Sequence, residues 1–198
     1  RKIWIDEDVL RLNTDGRGRY LGEFQGEDRI LVVNKNGTYY TTDYDLSNHY
    51  EEGFSVLEKY EPEKVWSAVF FDAEQQFYYL KRFRFENVVR HTLFIGETEG
   101  SYLVALSGEK RPRFEVVFGG RYESRPAEVI VADEFIAEKS YKARGKRVTT
   151  YEVKQINEIE PLDSGEEESE ETASTDIDFE ITNPDMLSDE TQMKLDFE

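Results

Sequence analysis

Asp28-Arg29-Ile30-Leu31-Val32-Val33-Asn34-Lys35-Asn36-Gly37-Thr38-Tyr39-Tyr40-Thr41-Thr42 decides the fold class. Two runs rich in β-branched and aromatic residues flank a short polar stretch. Its Asn36-Gly37 pair takes positive φ cheaply, which is the signature of a β-hairpin. The pattern recurs along the chain. Val65 to Phe71 and Phe77 to Leu80 flank Asp72 to Gln76, and Tyr102 to Leu106 and Phe114 to Phe118 flank a longer loop with Gly108 and Pro112. Val129 to Val131 and Phe135 to Ala137 flank Ala132-Asp133-Glu134, and Ile3 to Ile5 and Val9 to Leu12 flank Asp6-Glu7-Asp8. The five predicted hairpins begin near positions 3, 30, 65, 102 and 129. No stretch of comparable length carries the 3.6-residue apolar period of a helix. An all-β domain follows, either propeller-type blades, each too small to bury a core alone, or an irregular sandwich or barrel.

The 198 residues suffice for one domain with some chain left over. The charge shows where the remainder lies. From Glu160 to Glu198 there are 15 acids and one base, Lys194, so this segment holds −14 of the net −18. Asp163-Ser164-Gly165-Glu166-Glu167-Glu168-Ser169-Glu170-Glu171 has no apolar content and repels itself, which predicts a disordered acidic tail over 160–198 behind a folded domain over 1–159. The second half of that domain is basic, with 15 bases against 11 acids over residues 81–154. The pI therefore describes the tail, and a face for a polyanion is compatible with it.

Several function classes drop out. With no cysteine there is neither a disulfide nor a thiolate metal site, and a reducing, cytoplasmic compartment is expected. His49 and His91 have no ligand-spaced partner. No apolar run approaches the ~18 residues of a membrane helix. There is no phosphate-binding glycine loop, no HExxH and no Ser-His-Asp order. Carboxylates abound, but nothing marks two of them as the pair a glycosidase needs. The start at Arg1-Lys2-Ile3-Trp4 reads as a piece of a longer polypeptide.

The chemistry that remains is basic. Asp15-Gly16-Arg17-Gly18-Arg19-Tyr20-Leu21-Gly22 combines arginines with glycines that let backbone approach a ligand. Lys139-Ser140-Tyr141-Lys142-Ala143-Arg144-Gly145-Lys146-Arg147 has five bases in nine residues. Lys81, Arg82 and Arg84, then Lys110, Arg111 and Arg113, and finally Arg121 and Arg125 complete the set. Spaced over different hairpins, these residues would track the phosphates of a bent duplex without reading bases. The alternative is that they are solvated strand edges protected by charge on a protein-interaction scaffold.

The runs 28–42 and Lys142-Ala143-Arg144-Gly145-Lys146-Arg147-Val148-Thr149-Thr150-Tyr151, with Val65 to Phe85 read as one blade, resemble a known family. It is the C-terminal domain of the A subunit of bacterial type IIA topoisomerases, gyrase and topoisomerase IV, and the resemblance spans about residues 1–160. It implies a β-pinwheel, a propeller-like ring of blades that exchange strands. It implies a cytoplasmic, nucleoid-associated module that binds and bends duplex DNA on its outer rim and presents it to the cleavage core. The partners so implied are the rest of the A subunit and the ATPase B subunit. Catalytic residues, Mg2+ and ATP belong to other regions of the holoenzyme, so no catalytic or metal residue is assigned to this chain. The Q-R-R-G-G-R-G box of gyrase is reproduced neither by Asp15 to Gly22 nor by Lys142 to Arg147, which favours a topoisomerase IV-like role in decatenation and relaxation.

The tail carries two expectations. As a tethered polyanion it would compete with DNA for the basic surface at high effective concentration. Removing 161–198 is then expected to tighten duplex binding at low salt, and unchanged affinity in a gel shift would reject the idea. Gln192-Met193-Lys194-Leu195-Asp196-Phe197 resembles the peptides that dock on the bacterial sliding clamp through residues placed like Gln192, Leu195 and Phe197, a match that a peptide pull-down with the clamp would test.

Overall fold

An uninterrupted apolar run such as Ile30–Val33 needs two buried faces, and it has them. In the computed structural model, which describes residues 1–162, Ile30 and Val32 face one core while Leu31 and Val33 face another, all at most 2% exposed. Alternation of side chains across a strand places them so.

In chain order the strands are β1 (Lys2–Asp6), β2 (Arg11–Asn13), β3 (Arg19–Glu23), β4 (Ile30–Asn34), β5 (Thr38–Thr42), β6 (Phe54–Lys59) and β7 (Trp66–Asp72). They continue as β8 (Phe77–Phe83), β9 (Thr92–Leu93), β10 (Tyr102–Ser107), β11 (Arg113–Phe118), β12 (Glu128–Val131), β13 (Lys146–Arg147) and β14 (Val153–Ile159). A single-turn helix, α1 (Ala132–Phe135), and one 3-10 turn at Gly120–Tyr122 interrupt them. The strands form four small sheets, ordered β2-β1-β3, β6-β4-β5-β9, β10-β7-β8-β13 and β12-β11-β14. Every strand pair in them is antiparallel. The all-β, blade-repeating expectation holds. Among the described residues no helix is long and apolar enough to cross a membrane.

Strand exchange ties the sheets together. After β7 and β8 the chain crosses back to lay β9 against β5, and after α1 it returns to lay β13 against β8. Three cores lie between consecutive sheets. Ile3, Ile5, Leu21 and Phe24 meet Ile30, Val32 and Leu57 in the first, and Leu31, Val33 and Tyr39 meet Trp66, Phe70, Phe83 and Phe85 in the second. Val69 and Leu80 meet Phe114, Val116 and Phe118 in the third. The outer sheets are one-sided, and their sequences show it: β11 alternates buried Phe114, Val116 and Phe118 with half-buried Arg113, Glu115 and Val117.

Three of the predicted hairpins form, those beginning near positions 3, 30 and 65. In the second of these Gly37 takes φ +84, and a Cβ there would meet the Ile95 side chain, so the turn and the packing both require glycine. Two predicted hairpins do not form. Strands β10 and β11 exist but do not pair with each other: β10 adds to β7, and β11 sits between β12 and β14. A strand's period reports its faces and not its partner, and the linker with Pro112 carries the chain from one sheet to the next. The second arm of the 129–137 hairpin is absent because Ala132–Phe135 coils into α1, with Asp133 and Glu134 in its first turn where the helix dipole favours acids. Arg1–Pro161 forms one compact unit. The tail from residue 163 on, with Gln192, Leu195 and Phe197, lies outside the described residues.

Candidate nucleic-acid interface

Strand β8 organises the basic residues. Its alternation sends Tyr79, Lys81 and Phe83 inward and leaves Arg82 and Arg84 on the other side. Segment 138–148 then runs beside it. A bridge joins Glu138 to Arg82, the Lys139 amide donates to the Arg82 carbonyl at 2.8 Å, Lys146 and Arg147 pair with Leu80 and Tyr79, and the Val148 amide donates to the Tyr78 carbonyl at 2.9 Å. The backbone comes so close at Gly145 that a Cβ would lie 2.6 Å from the Leu80 carbonyl oxygen, and φ there is +92. Only glycine fits that contact without moving the strand.

The exposed basic side chains of this arch are Lys139, Lys142, Arg144 and Lys146. Lys146 caps the Phe135 ring at 4.3 Å and donates to the Phe135 carbonyl, and Lys142 lies over Tyr141. Arg147 is half-buried on the Phe77 ring, its Nε donating to the Thr149 carbonyl at 2.9 Å. Among the described residues none of these five cations pairs with a carboxylate.

The rest of the predicted set differs. Arg17 is paired with Asp15 at 3.3 Å and Arg19 with Glu7 at 3.0 Å, both at the surface. Arg84 is held by Glu63 and Glu138, each at 2.6 Å. Arg111 binds Asp133 and Glu134, fastening α1, and Arg113 donates to the Glu160 carbonyl. Arg125 stacks on Tyr151 at 4.0 Å and pairs with Glu128, while Arg121 rests on Tyr122. Arg82 donates to the Ile136 carbonyl. Lys110 is exposed on the linker between β10 and β11. Surface pairs of this kind contribute ~0–1 kcal/mol to stability and leave less net charge for phosphate.

Lys81 departs from the expectation most. It is 3% exposed, so it lies beneath the surface it was expected to form. Its Nζ donates to the carbonyls of Phe94, Tyr141 and Ala143 and faces the rings of Phe70, Phe83 and Phe94 at 5.0 to 5.8 Å. Burial pushes its pKa down to about 8, while carbonyl oxygens and ring faces favour the charged form.

Sequence reasoning missed the crossing that leads into β9. The Thr41 amide donates to the Val88 carbonyl at 2.7 Å, the Thr41 hydroxyl donates to Asn87 Oδ1, and His91 stacks on Tyr40 at 4.2 Å. Beside that stack Arg90 is exposed, with no ion pair among the described residues. This crossing borders the arch: Thr92 and Leu93 share a cleft of about 630 Å³ with Lys142 and Arg144, and Asn87 shares a smaller one with Lys139. Arg90-His91 was the available signal, a basic pair in a stretch with no strand pattern of its own. Among the described residues no cluster of three or more His, Cys, Asp or Glu side chains is placed to hold a metal.

A family model described as topoisomerase C-terminal domain, Bacteroidota, matches residues 11–160. Comparison with curated proteins finds no match. Among solved structures the chain is similar to the C-terminal domain of DNA topoisomerase IV, with 12% identity and a TM-score of 0.46 over 77% of this chain and 54% of that one. The chain thus spans about half the length of the solved domain it matches.

Proposed function

Because the chain belongs to the topoisomerase C-terminal domain family of Bacteroidota, we propose that its folded part is a non-catalytic module that holds and bends duplex DNA. On this reading it serves the A subunit of a type IIA topoisomerase of the topoisomerase IV kind. It presents a duplex to the cleavage core for ATP-dependent decatenation and relaxation. The cleavage chemistry, Mg2+ and ATP belong to other regions of the A subunit and to the B subunit, and no residue of this chain is assigned to them.

The observation that supports this reading is the arch. Among the described residues Lys139, Lys142, Arg144 and Lys146 stand exposed without carboxylate partners, on a backbone pinned to β8. Phosphate contacts of this kind carry affinity without sequence information. Fluorescence anisotropy with a random-sequence duplex, run as a salt series, tests it. With four phosphates engaged, affinity is expected to fall roughly a hundredfold between about 50 and 200 mM salt, independent of sequence. No binding at 50 mM salt, with the tail present or removed, would reject the reading. The ion pairs of Arg17, Arg19, Arg84 and Arg125 favour a second one, in which the basic strand edges only keep a protein-interaction scaffold soluble. The same series decides between the two.

A further inference from the structure

The arch has few polar ties of its own between Lys139 and Lys146. The Ala143 amide donates to the Ser140 carbonyl at 2.9 Å, and the Lys142 amide donates to Ser140 Oγ, both within the arch. The Tyr141 ring is buried in the second core, edge-on to Tyr39 at 5.6 Å, and the polar links from the middle of the arch to the body come from Lys81. Its ammonium has three protons, and three carbonyls accept them. Two of these belong to the arch, Tyr141 and Ala143, and the third, Phe94, follows the exchanged strand β9. One buried atom thus fastens the two segments whose exposed residues border the same cleft.

The acceptors are also unusual. A lysine buried for stability alone is ordinarily matched by a carboxylate, because an unpaired buried charge is costly. Among the described residues Lys81 has neutral carbonyls and ring faces as partners instead, so it orients backbone dipoles and sets a positive charge beneath a cleft whose rim carries Lys142 and Arg144 as well as Asp72, Glu74 and Glu97.

We propose that Lys81 is a positioning residue, a buried strut that sets the 139–147 arch against β8 and the β9 segment so that Lys139, Lys142 and Arg144 meet phosphates together with Arg90. The proposal rests on the DNA-binding reading above, and its test separates the two. In the full chain Lys81→Met keeps the unbranched apolar stem and removes the ammonium with every donor. Hydrogen exchange followed by mass spectrometry reads the arch without DNA, and the anisotropy salt series reads the function.

Exchange is expected to rise at least tenfold in peptides covering 138–147 and 92–96, with the peptides of β1 to β5 unchanged. Duplex affinity is expected to fall about a hundredfold at 0.1 M salt. The log–log salt slope should drop by roughly two or more although a single charge is removed, whereas a lost direct contact lowers it by about 0.9. A slope change of about one with exchange unaltered would make Lys81 a direct contact and overturn the proposal, as would no change in either readout. Lys81→Gln, which keeps an amide donor, is expected to fall between wild type and Lys81→Met. If Lys81→Met does not fold, this variant carries the test, and wild-type exchange and slope in it would overturn the proposal. If the wild type binds no duplex at all, the functional reading fails while the exchange data still decide on the strut.

Discussion

Replacing Lys139, Lys142, Arg144 and Lys146 together by glutamine should weaken duplex binding by about four thousandfold at 0.1 M salt. Each cation that neutralises a phosphate on B-DNA releases close to one condensed counterion. Four lost contacts therefore lower the log–log salt slope by about 3.6, and at 0.1 M each is worth close to a factor of eight. The four side chains are exposed and the backbone beneath them is held by other groups, by Gly145 against Leu80 and by the pairing of β13 with β8. Thermal stability should accordingly change little. The matched control removes the same number of charges elsewhere: Arg17, Arg19, Arg84 and Arg125 to glutamine, each of which has a carboxylate within 3.3 Å. That variant is expected to keep most of its affinity. Equal losses in the two variants would mean that binding follows net charge and not the arch.

The contrast between those two groups was only partly legible in the sequence. The density of five bases in nine residues singled out 139–147, and the structure gives that segment a surface and an anchor. The single arginines looked alike in sequence; Arg17 and Arg125 are paired by acids two and three residues away, while the partners of Arg84 and Arg111 are distant in the chain. Arg84 meets Glu63 from 21 residues away, just beyond the Trp66–Phe83 end of the β7–β8 pair, and Arg111 meets Asp133 from 22, just beyond the Arg113–Val131 end of the β11–β12 pair. Lys81 was legible, and its signal lay in the period: in Tyr79-Leu80-Lys81-Arg82-Phe83 a repeat of two puts the lysine on the face of Tyr79 and Phe83. Grouping it with Arg82 and Arg84 by charge hid that.

The fold divides similarly. Strands β4, β5, β7, β8, β10, β11 and β12 announce themselves by β-branched and aromatic content, and the two-sided burial of β4 is visible in its unbroken Ile30–Val33. Strands β3, β6, β9, β13 and β14 were not expected from the sequence, β13 being only Lys146–Arg147. Partner choice is not visible. Strands β10 and β11 have equally good faces, and only assembly with β7 on one side and β12 and β14 on the other shows that they belong to different sheets.

Phe85→Ala is expected to cost about 3–5 kcal/mol, the usual range for a fully buried phenylalanine in a core that cannot collapse. Phe85 is 2% exposed and follows β8 by two residues. Its ring packs against Tyr39 at 4.5 Å, Phe83 at 4.8 Å, Phe94 at 5.1 Å and Trp66 at 5.6 Å, so truncation removes four aromatic contacts as well as apolar area. These neighbours come from the second sheet, the third sheet and the crossing between them, so the cavity opens where the two middle sheets are joined. The cores on either side, around Ile5 and Leu57 and around Phe114 and Leu80, keep all their contacts. Folding cooperativity between the first two sheets and the last two passes through the damaged core, and domains of this size have only ~5–15 kcal/mol in total. Urea unfolding of Phe85→Ala followed by tryptophan fluorescence should therefore separate into two transitions, Trp4 reporting the first sheet and Trp66 the middle core. Leu57→Ala, with a comparable cost of ~2–5 kcal/mol, should shift the curve while leaving the central joint intact. A single transition in Phe85→Ala, displaced by less than about 1 kcal/mol, would show that the middle core is not what couples the sheets. The functional consequence is specific. Phe94 gives its ring to this core and its carbonyl to Lys81, so loosening the core frees the strut beneath the arch, and Phe85→Ala should lose duplex affinity at temperatures where it is still folded.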